Sequence, residues 1–234
     1  MHTRVRFALA LLVAALLATV VVPSASAQQD QPRRHTYRIT IENVTENQIL
    51  TPPVYAVHNQ RADVFDLGRR ANAGVREIAE NGNLDPLVEA LADTRGVRSS
   101  GVGAGDNGPL MPGTDATFRV RAPRGARLLS TVQMVVCTND GFTGLDSLRL
   151  PRGVDRSVTA YLYAFDAGTE TNTDDVADFV PPCSGGETGT GMSNPALAER
   201  GVIAPHPGLT GAAAEMWGFD ADAPVAKITV TRIR

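Results

Sequence analysis

The sequence predicts a mainly β domain, and two observations carry this prediction. Several segments alternate apolar and polar residues with period two, as a strand with one buried face requires. Tyr37, Ile39 and Ile41, for example, are separated by Arg38 and Thr40. Helical patterns are short and lie between the strand candidates. We therefore expect a β framework that carries short helical insertions and long loops.

Six segments have the periodicity or composition of strands. They are residues 37–41, 54–58, 117–121, 128–136, 157–165 and 225–233. In the fifth segment, small and aliphatic residues fall on one face and aromatic residues on the other. Both faces of that strand are therefore expected to be covered.

Three short segments carry helical signals, namely residues 74–81, 85–92 and 194–200. Asp85 and Asn194 each precede a proline, which is typical of an N-cap acceptor followed by proline at the first helical position. Residues 96–114 and 168–217 are rich in glycine, proline and small polar residues and are otherwise predicted to be loops. Loops of that length in a compact domain are usually functional or pinned to the fold.

The first 27 residues predict a signal peptide. Two arginines give a positive start, residues 7–22 form an apolar run, and Ala-Ser-Ala at residues 25–27 matches a cleavage pattern. The apolar run is shorter than the roughly 20 residues of a membrane-spanning helix, and Pro23 ends it. We expect an exported protein, secreted or periplasmic, without a transmembrane segment.

The remaining chain is expected to form one domain. Residues 28–35 are polar and predict a flexible leader, and residues 36–234 are sufficient for one substantial core. The formal net charge of −3 becomes −5 once Arg4 and Arg6 leave with the signal peptide. This acidic balance, without a block of basic residues, argues against binding to nucleic acid. Lys227 is the only lysine, and the preference for arginine indicates a GC-rich bacterial genome.

The two cysteines, Cys137 and Cys183, follow the predicted signal peptide, and an exported chain meets oxidising conditions. A disulfide between them is the expected pairing. In the chain-entropy model, a loop of about 45 residues would stabilise the fold by roughly 3–4 kcal/mol. The alternative, a cysteine metal site, lacks partners at ligand spacing.

Motifs of common catalytic sites are absent or misplaced. Residues 103–108 match G-x-G-x-x-G, but prolines follow where a nucleotide site needs a helix. His35, His58 and His206 have no acidic or cysteine partner at ligand spacing. No G-x-S-x-G nucleophile motif occurs, although a dispersed catalytic triad stays open.

Acidic residues instead concentrate in two segments, residues 139–146 and 166–172, each directly after a β-rich run. Hard divalent cations such as Ca²⁺ prefer several oxygen ligands on flexible loops, which both segments offer. Acidic loops are also common on protein surfaces, so a solvated face is the competing interpretation. A bridge between Cys137 and Cys183 would tie the two loops together.

The same segments resemble the two signature segments of the spondin N-terminal domain family. In that family the first has an Asp followed by an aromatic residue, a small spacer and Gly, and residues 140–144 are similar to it. The second reads D-A-G-T-D or D-A-G-T-E, which residues 166–170 match. Residues 37–44, 51–58 and 226–230 also resemble the bacterial branch, so the resemblance covers roughly residues 36–234.

This resemblance implies an antiparallel β-sandwich like a C2 domain, with one Ca²⁺ bound at one end. Matched by position, the implied ligands are Asp140, Asp166 and Glu170, with Asn139 and Asp146 as accessory candidates. The sequence departs from the family where Gly141 follows the first Asp and where Glu170 replaces a frequent Asp. Glutamate reaches further and can bind bidentately, so the site could persist with changed geometry.

We expect a non-catalytic, secreted, calcium-binding module for an extracellular protein, glycan or other cell-surface ligand, acting as a monomer. Animal members of the family are matrix and adhesion proteins, so an adhesion-like role follows by analogy alone. One alternative is a secreted hydrolase with an acidic pair drawn from Asp140, Asp166, Asp220 and Asp222. Another is calcium-dependent attachment to anionic lipid, for which Phe142 is the apolar loop-tip candidate.

Overall fold

The computed structural model describes residues 34–103, 108–186 and 191–234. The predicted signal peptide and residues 28–33 of the predicted leader lie outside the described residues. The described chain folds into two antiparallel sheets of four and six strands, which confirms the all-β class and the antiparallel sandwich. None of the helices in these ranges has the length and apolarity needed to cross a membrane.

Within the described residues, ten strands, numbered in chain order, build the two sheets. They are β1 (His35–Asn43), β2 (Val54–His58), β3 (Val97–Val102), β4 (Asp115–Ala122), β5 (Leu128–Met134), β6 (Gly141–Arg149), β7 (Ser157–Leu162), β8 (Ala164–Asp166), β9 (Ala204–Pro205) and β10 (Ala226–Arg232). The smaller sheet has the order β4-β1-β10-β7, and the larger has the order β3-β2-β5-β6-β8-β9. Because β1 and β10 pair in the centre of the smaller sheet, the first and last strands of the fold are neighbours.

Two apolar clusters hold the layers together. One lies between the sheets and includes Ile39 and Ile228 of the smaller sheet and Leu129 of the larger. The other lies on the opposite face of the larger sheet, where Ile78 and Leu87 belong to the same buried cluster as strand residues of that sheet. Since both faces of the larger sheet are covered, all seven residues of β5 are buried, and apolar residues need not alternate along it.

Two helices precede β3 and cover the larger sheet: α1 (Ala73–Asn81) and α2 (Asp85–Asp93). Asn72 caps α1 by accepting a hydrogen bond from the Val75 N–H at 3.0 Å. The prediction that Asp85 caps α2 was wrong, because Asp85 is the first helical residue and Leu84 occupies the cap without a side-chain bond. A third helix, α3 (Gly211–Trp217), lies inside the second predicted loop.

The strand β6 occupies most of a segment that was predicted to be an acidic loop, and β3 occupies part of residues 96–114. Both segments contain glycines and serines, so their sequence patterns did not predict strands. Gly144 is required in β6 because a Cβ there would collide with the carbonyl oxygen of Thr131 on β5.

Residues 157–165 form two strands rather than one. The ladder stops at Tyr163, so that β7 belongs to the smaller sheet and β8 to the larger. The predicted helix at residues 194–200 was also wrong. Asn194 Oδ1 accepts from the Ala196 N–H at 3.1 Å in a single turn, and Ala198 then forms a β-bridge with Glu170. The Leu197 N–H donates to the Asn194 carbonyl at 3.0 Å within this turn. Backbone hydrogen bonds of Leu197, Glu199 and Gly201 then join the segment to residues 168–171.

Candidate metal site

The first acidic segment begins in the tight connection between β5 and β6. The Thr138 hydroxyl donates to the Val135 carbonyl at 2.6 Å and accepts from the Gly141 N–H at 2.8 Å. A Cβ on Gly141 would collide with that hydroxyl oxygen. The glycine that departs from the family pattern is therefore a steric requirement of this turn.

The two acidic segments meet because β6 and β8 are antiparallel neighbours. Gly141, the first residue of β6, lies opposite Asp166, the last residue of β8. The Ala167 N–H also donates to the Asp140 carbonyl at 3.1 Å. Asp140 and Asp166, which are 26 positions apart in the printed sequence, thus share one edge of the larger sheet.

The Asp140 carboxylate is fully buried, and its two oxygens differ in their hydrogen bonding. Oδ2 accepts three hydrogen bonds, from the Thr169 N–H at 2.7 Å, the Thr169 hydroxyl at 3.0 Å and the Glu170 N–H at 3.0 Å. Oδ1 is buried and has no hydrogen-bond partner among the described residues. Buried polar atoms without partners are rare in native proteins, so this oxygen is a candidate acceptor for a further partner.

Burial raises the pKa of Asp140 to about 6, and the negative charge of Asp166 adds to the rise. The three hydrogen bonds from Thr169 and Glu170 act in the opposite direction by stabilising the carboxylate. The balance leaves a buried anion near neutral pH that a nearby cation would stabilise.

Asp166 is half-buried, and its carboxylate organises the turn that follows β8. Its Oδ1 accepts from the Gly168 N–H at 2.6 Å, and its Oδ2 accepts from the Asn172 side-chain amide at 2.5 Å. The Asn172 Oδ1 is buried and has no partner within the described ranges. The loop thus presents a second unpaired oxygen beside an acidic side chain.

Glu170 is buried and lies close enough to Asp140 for the two charges to repel. Its Oε1 accepts from the Asn194 N–H at 3.0 Å. Burial raises its pKa to about 7; the negative charges of Glu80 and Asp140 add to the rise, and the bond from Asn194 opposes it. Glu170 and Glu80 line a cleft of about 350 Å³.

A family profile described as Spondin_N matches residues 28–178, which include both acidic segments and β1 to β8. The chain belongs to the spondin N-terminal domain family. A comparison with curated proteins gave no significant match. Membership of this family indicates an extracellular binding module, and spondin domains are not a known enzyme family.

The two accessory candidates occupy different places in this spondin domain. Asn139 lies in the same turn as Asp140, and its Oδ1 accepts from the Thr173 N–H at 3.1 Å. Asp146 lies in β6, about six residues or roughly 20 Å along the strand from Asp140. Its Oδ1 accepts from the Val64 N–H at 2.9 Å and from a serine hydroxyl at 2.8 Å. The fold therefore does not bring Asp146 to the other acidic candidates.

The spondin domain also gathers polar residues that the sequence did not single out as ligands. His206 is 2 % exposed; its Nδ1 accepts from the Gly208 N–H at 3.0 Å, while Nε2 lacks a partner in the described structure. Burial lowers the pKa of His206, while Asp166 and Asp174 oppose the shift. The Asp174 Oδ1 is likewise buried without a described partner. Only the acidic composition of residues 166–175 hinted at this cluster.

The spondin domain does not present a ready-made cage of carboxylates. Among the described residues, no group of three or more His, Cys, Asp or Glu side chains is arranged to hold a metal ion. Calcium also accepts amide, backbone carbonyl and water oxygens at 2.3–2.6 Å as a rule. The unpartnered oxygens of Asp140 and Asn172 fit such a mixed set of ligands, because each is a buried acceptor that lacks a donor.

The predicted disulfide is confirmed. Cys137 and Cys183 are bonded, their Cα atoms are 5.4 Å apart, and both side chains are buried. Cys137 lies three residues before Asp140, and Cys183 lies in the segment that follows Glu170. The bridge therefore holds the chain on both sides of the acidic cluster.

One expectation linked to the alternative functions, an exposed Phe142, fails. Of the four acids named for a hydrolase, Asp140 and Asp166 lie together, and Asp220 and Asp222 lie apart from them. Phe142 is fully buried in β6 and packs against Phe65 at 5.1 Å and Phe165 at 5.5 Å between ring centroids, so it is not an exposed tip. Asp220 and Asp222 lie in an exposed turn, where Asp220 Oδ1 accepts from the Asp222 N–H at 2.9 Å. Neither is among the charges that raise the pKa of Asp140 or Glu170.

Proposed function

We propose that this spondin domain is a secreted, non-catalytic module that binds one calcium ion at the paired acidic segments and serves in surface interaction. Family membership supplies the extracellular binding role. Calcium, export and the lack of catalysis are the parts that we add. The adhesion-like character of the role rests on the family alone.

One observation carries the calcium proposal: the Asp140 Oδ1 is buried, unpartnered within the described chain and close to the charge of Asp166. A cation there would remove both penalties at once, because it would pair the orphaned oxygen and offset the repulsion between the two carboxylates. Asp140 and Asp166 are therefore the proposed carboxylate ligands. Asn172 Oδ1 is the proposed amide ligand.

Glu170 has a different place in the proposal. Its Oε1 already accepts from Asn194, and its backbone N–H donates to Asp140. It can contribute its other carboxylate oxygen directly or through a bridging water, since calcium accepts both kinds of ligand. Bound calcium would supply charge neutralisation and cross-linking of the two loops.

Thermal unfolding of the protein in EDTA and in about 10 mM calcium tests the proposal, because the Kd of extracellular calcium modules is about 0.1–1 mM. We expect calcium to raise the Tm by several degrees. The variant Asp140→Asn keeps the size of the side chain but should lose that increase, and Asp166→Ala should lose it as well.

Asp146→Asn is the matched control, because Asp146 is, like Asp140, a hydrogen-bonded acid, but it lies within β6 and away from the site. This variant should be less stable in both buffers yet keep the full calcium-induced increase in Tm. Equal Tm values for the unaltered protein in EDTA and calcium, with no calcium found by elemental analysis, would reject the proposal.

A further inference from the structure

The end of the sandwich opposite the acidic segments is basic. β6 starts beside Asp140 and runs away from it to Arg149, which lies opposite Leu128 at the start of β5. In the smaller sheet, β10 ends at Arg232 beside the start of β1. Connections between the sheets at this end add further arginines. We call this region the basic end.

A cleft of about 320 Å³ opens at the basic end, with residues of both sheets in its walls. Its polar lining consists of His35, Tyr37, Arg127, Arg149, Arg152 and Arg232. A second cleft of about 580 Å³ lies at the same end and includes Arg119, Arg121 and Arg234. Positive charge is thus spread over an extended surface on a protein whose net charge is negative.

These charges are not neutralised by ion pairs within the described residues. The ion pairs found there join Arg76 to Glu77 and Glu80, and Lys227 to Glu42. None involves an arginine of either cleft. Asp155 is the acidic residue in the neighbouring connection, and it is exposed.

Part of the first cleft is held in place by hydrogen bonds. The Arg232 guanidinium donates to the Arg234 carbonyl at 3.0 Å and to the Arg152 carbonyl, and it lies 2.7 Å from the His35 ring. The Tyr37 hydroxyl donates to the Pro151 carbonyl at 3.2 Å. Arg127, Arg149 and Arg152 are exposed and keep their side-chain donors available for a ligand.

We propose that the basic end binds an anionic polysaccharide that carries sulfate or phosphate groups. Guanidinium groups bind such oxyanions through two parallel hydrogen bonds, which lysine cannot do. A polymer fits better than a single ion because the arginines are spread over two clefts at the same end of the domain. A membrane fits poorly, because Val154 is the only exposed large apolar residue among those described at this end.

This site is separate from the calcium site and does not depend on it. Binding of dextran sulfate, measured by calorimetry, tests it directly, and uncharged dextran of the same length is the matched ligand control. We expect dextran sulfate to bind in EDTA and in calcium alike, more weakly as salt increases, while dextran does not bind. The Asp140→Asn variant should bind dextran sulfate as the unaltered protein does.

The double variant Arg127→Gln/Arg149→Gln should weaken binding about tenfold, since it removes two charged donors. Arg69→Gln/Arg200→Gln removes the same net charge from exposed arginines outside both basic clefts, and it should change the affinity less than about twofold. Equal losses in the two double variants would overturn the proposal, because attraction would then depend only on net charge. Absence of dextran sulfate binding would also overturn it.

Two further results would contradict a polysaccharide. Tighter co-sedimentation with vesicles of anionic lipid than with dextran sulfate would assign the surface to a membrane. Concentration-dependent assembly in light scattering, abolished by Arg127→Gln/Arg149→Gln, would assign it to the acidic end of a second copy. A monomer that prefers the polysaccharide supports the proposal.

Discussion

The two ends of this spondin domain carry opposite charges, and they differ in how far those charges are buried. At the acidic end, which contains Asp140, Asp166 and Glu170, two of the three carboxylates are buried, and backbone N–H groups contact all three. At the basic end, arginines such as Arg127 and Arg149 are exposed. Buried charges affect the folded state itself, whereas exposed charges mainly affect what approaches it. Stability and association should therefore respond to different ends.

The largest effect on stability should come from removing the disulfide at the acidic end. Replacing both Cys137 and Cys183 with alanine should lower the free energy of unfolding by roughly 3–4 kcal/mol, because the unfolded chain regains the freedom of a long loop. Urea unfolding measures the loss. Dextran sulfate binding at the basic end should persist below the transition. A loss under about 1 kcal/mol would mean that the bridge is incidental to this end.

A smaller effect is expected from Gly141→Ala. The added methyl group collides with the Thr138 hydroxyl oxygen that organises the turn, so the variant should lose about 1–3 kcal/mol and most of its calcium response. Gly153→Ala at the basic end is the matched control. There the added methyl meets Cγ of the exposed Arg156 side chain at 2.8 Å, which can move away by rotation about χ1, so the loss of stability should be smaller. Equal losses would show that the turn at Asp140 is not specially constrained.

The titratable groups of the acidic end should also make the stability of the protein depend on pH. The folded-state pKa of Asp140, about 6, lies above its ordinary value, so the folded state takes up a proton that the unfolded state does not. Without metal, stability should increase by about 1 kcal/mol from this group as pH falls from about 7.5 to 5. Glu170, with a pKa near 7, acts in the same direction, and His206, whose pKa is lowered, acts against both.

The contribution of Asp140 is measured as the difference between the unaltered protein and Asp140→Asn in EDTA across this range. The difference should narrow or reverse toward high pH, where the buried carboxylate is charged. Calcium should raise the Tm more at pH 7.5 than at pH 5, because protons compete with the ion for Asp140. A pH-independent difference would contradict the burial of a titrating carboxylate there.

The smallest effect on stability should come from the basic end. Arg127→Gln/Arg149→Gln should change the free energy of unfolding by less than about 0.5 kcal/mol, since exposed side chains without ion pairs contribute little. The same double variant is expected to lose about tenfold in affinity for dextran sulfate. A large loss of stability in urea unfolding would show that these arginines support the fold, and the contrast between the ends would fail.

Local sequence patterns were sufficient to predict an element where one of its faces is buried and the other is exposed. The alternation around Ile39 identified β1, for example. β6 was not predicted because Gly141 and Gly144 are typical of a turn. Each glycine is needed because another part of the chain approaches it too closely for a Cβ atom. This close contact arises from the tertiary structure, so the local sequence pattern does not predict it.

The candidate site was predictable to a similar degree. The family resemblance placed Asp140 and Asp166 together, and strand pairing confirms that they are neighbours. Asp146 was grouped with them only because a loop was assumed between Asp140 and Asp146. Asn172 and His206 were not predicted as parts of the cluster, since their importance depends on which atoms remain unpartnered after folding.

The pairing of β1 with β10 would affect the order of events during the export that we propose. A chain that crosses a membrane from its N-terminal side delivers β1 early and β10 late. Until β10 arrives, β1 lacks one neighbour, and β7 has no neighbour in the smaller sheet. The sandwich therefore cannot close around a half-delivered chain. Such long-range pairing is slow to form, so under the proposed export the chain would stay unfolded until its passage is almost complete.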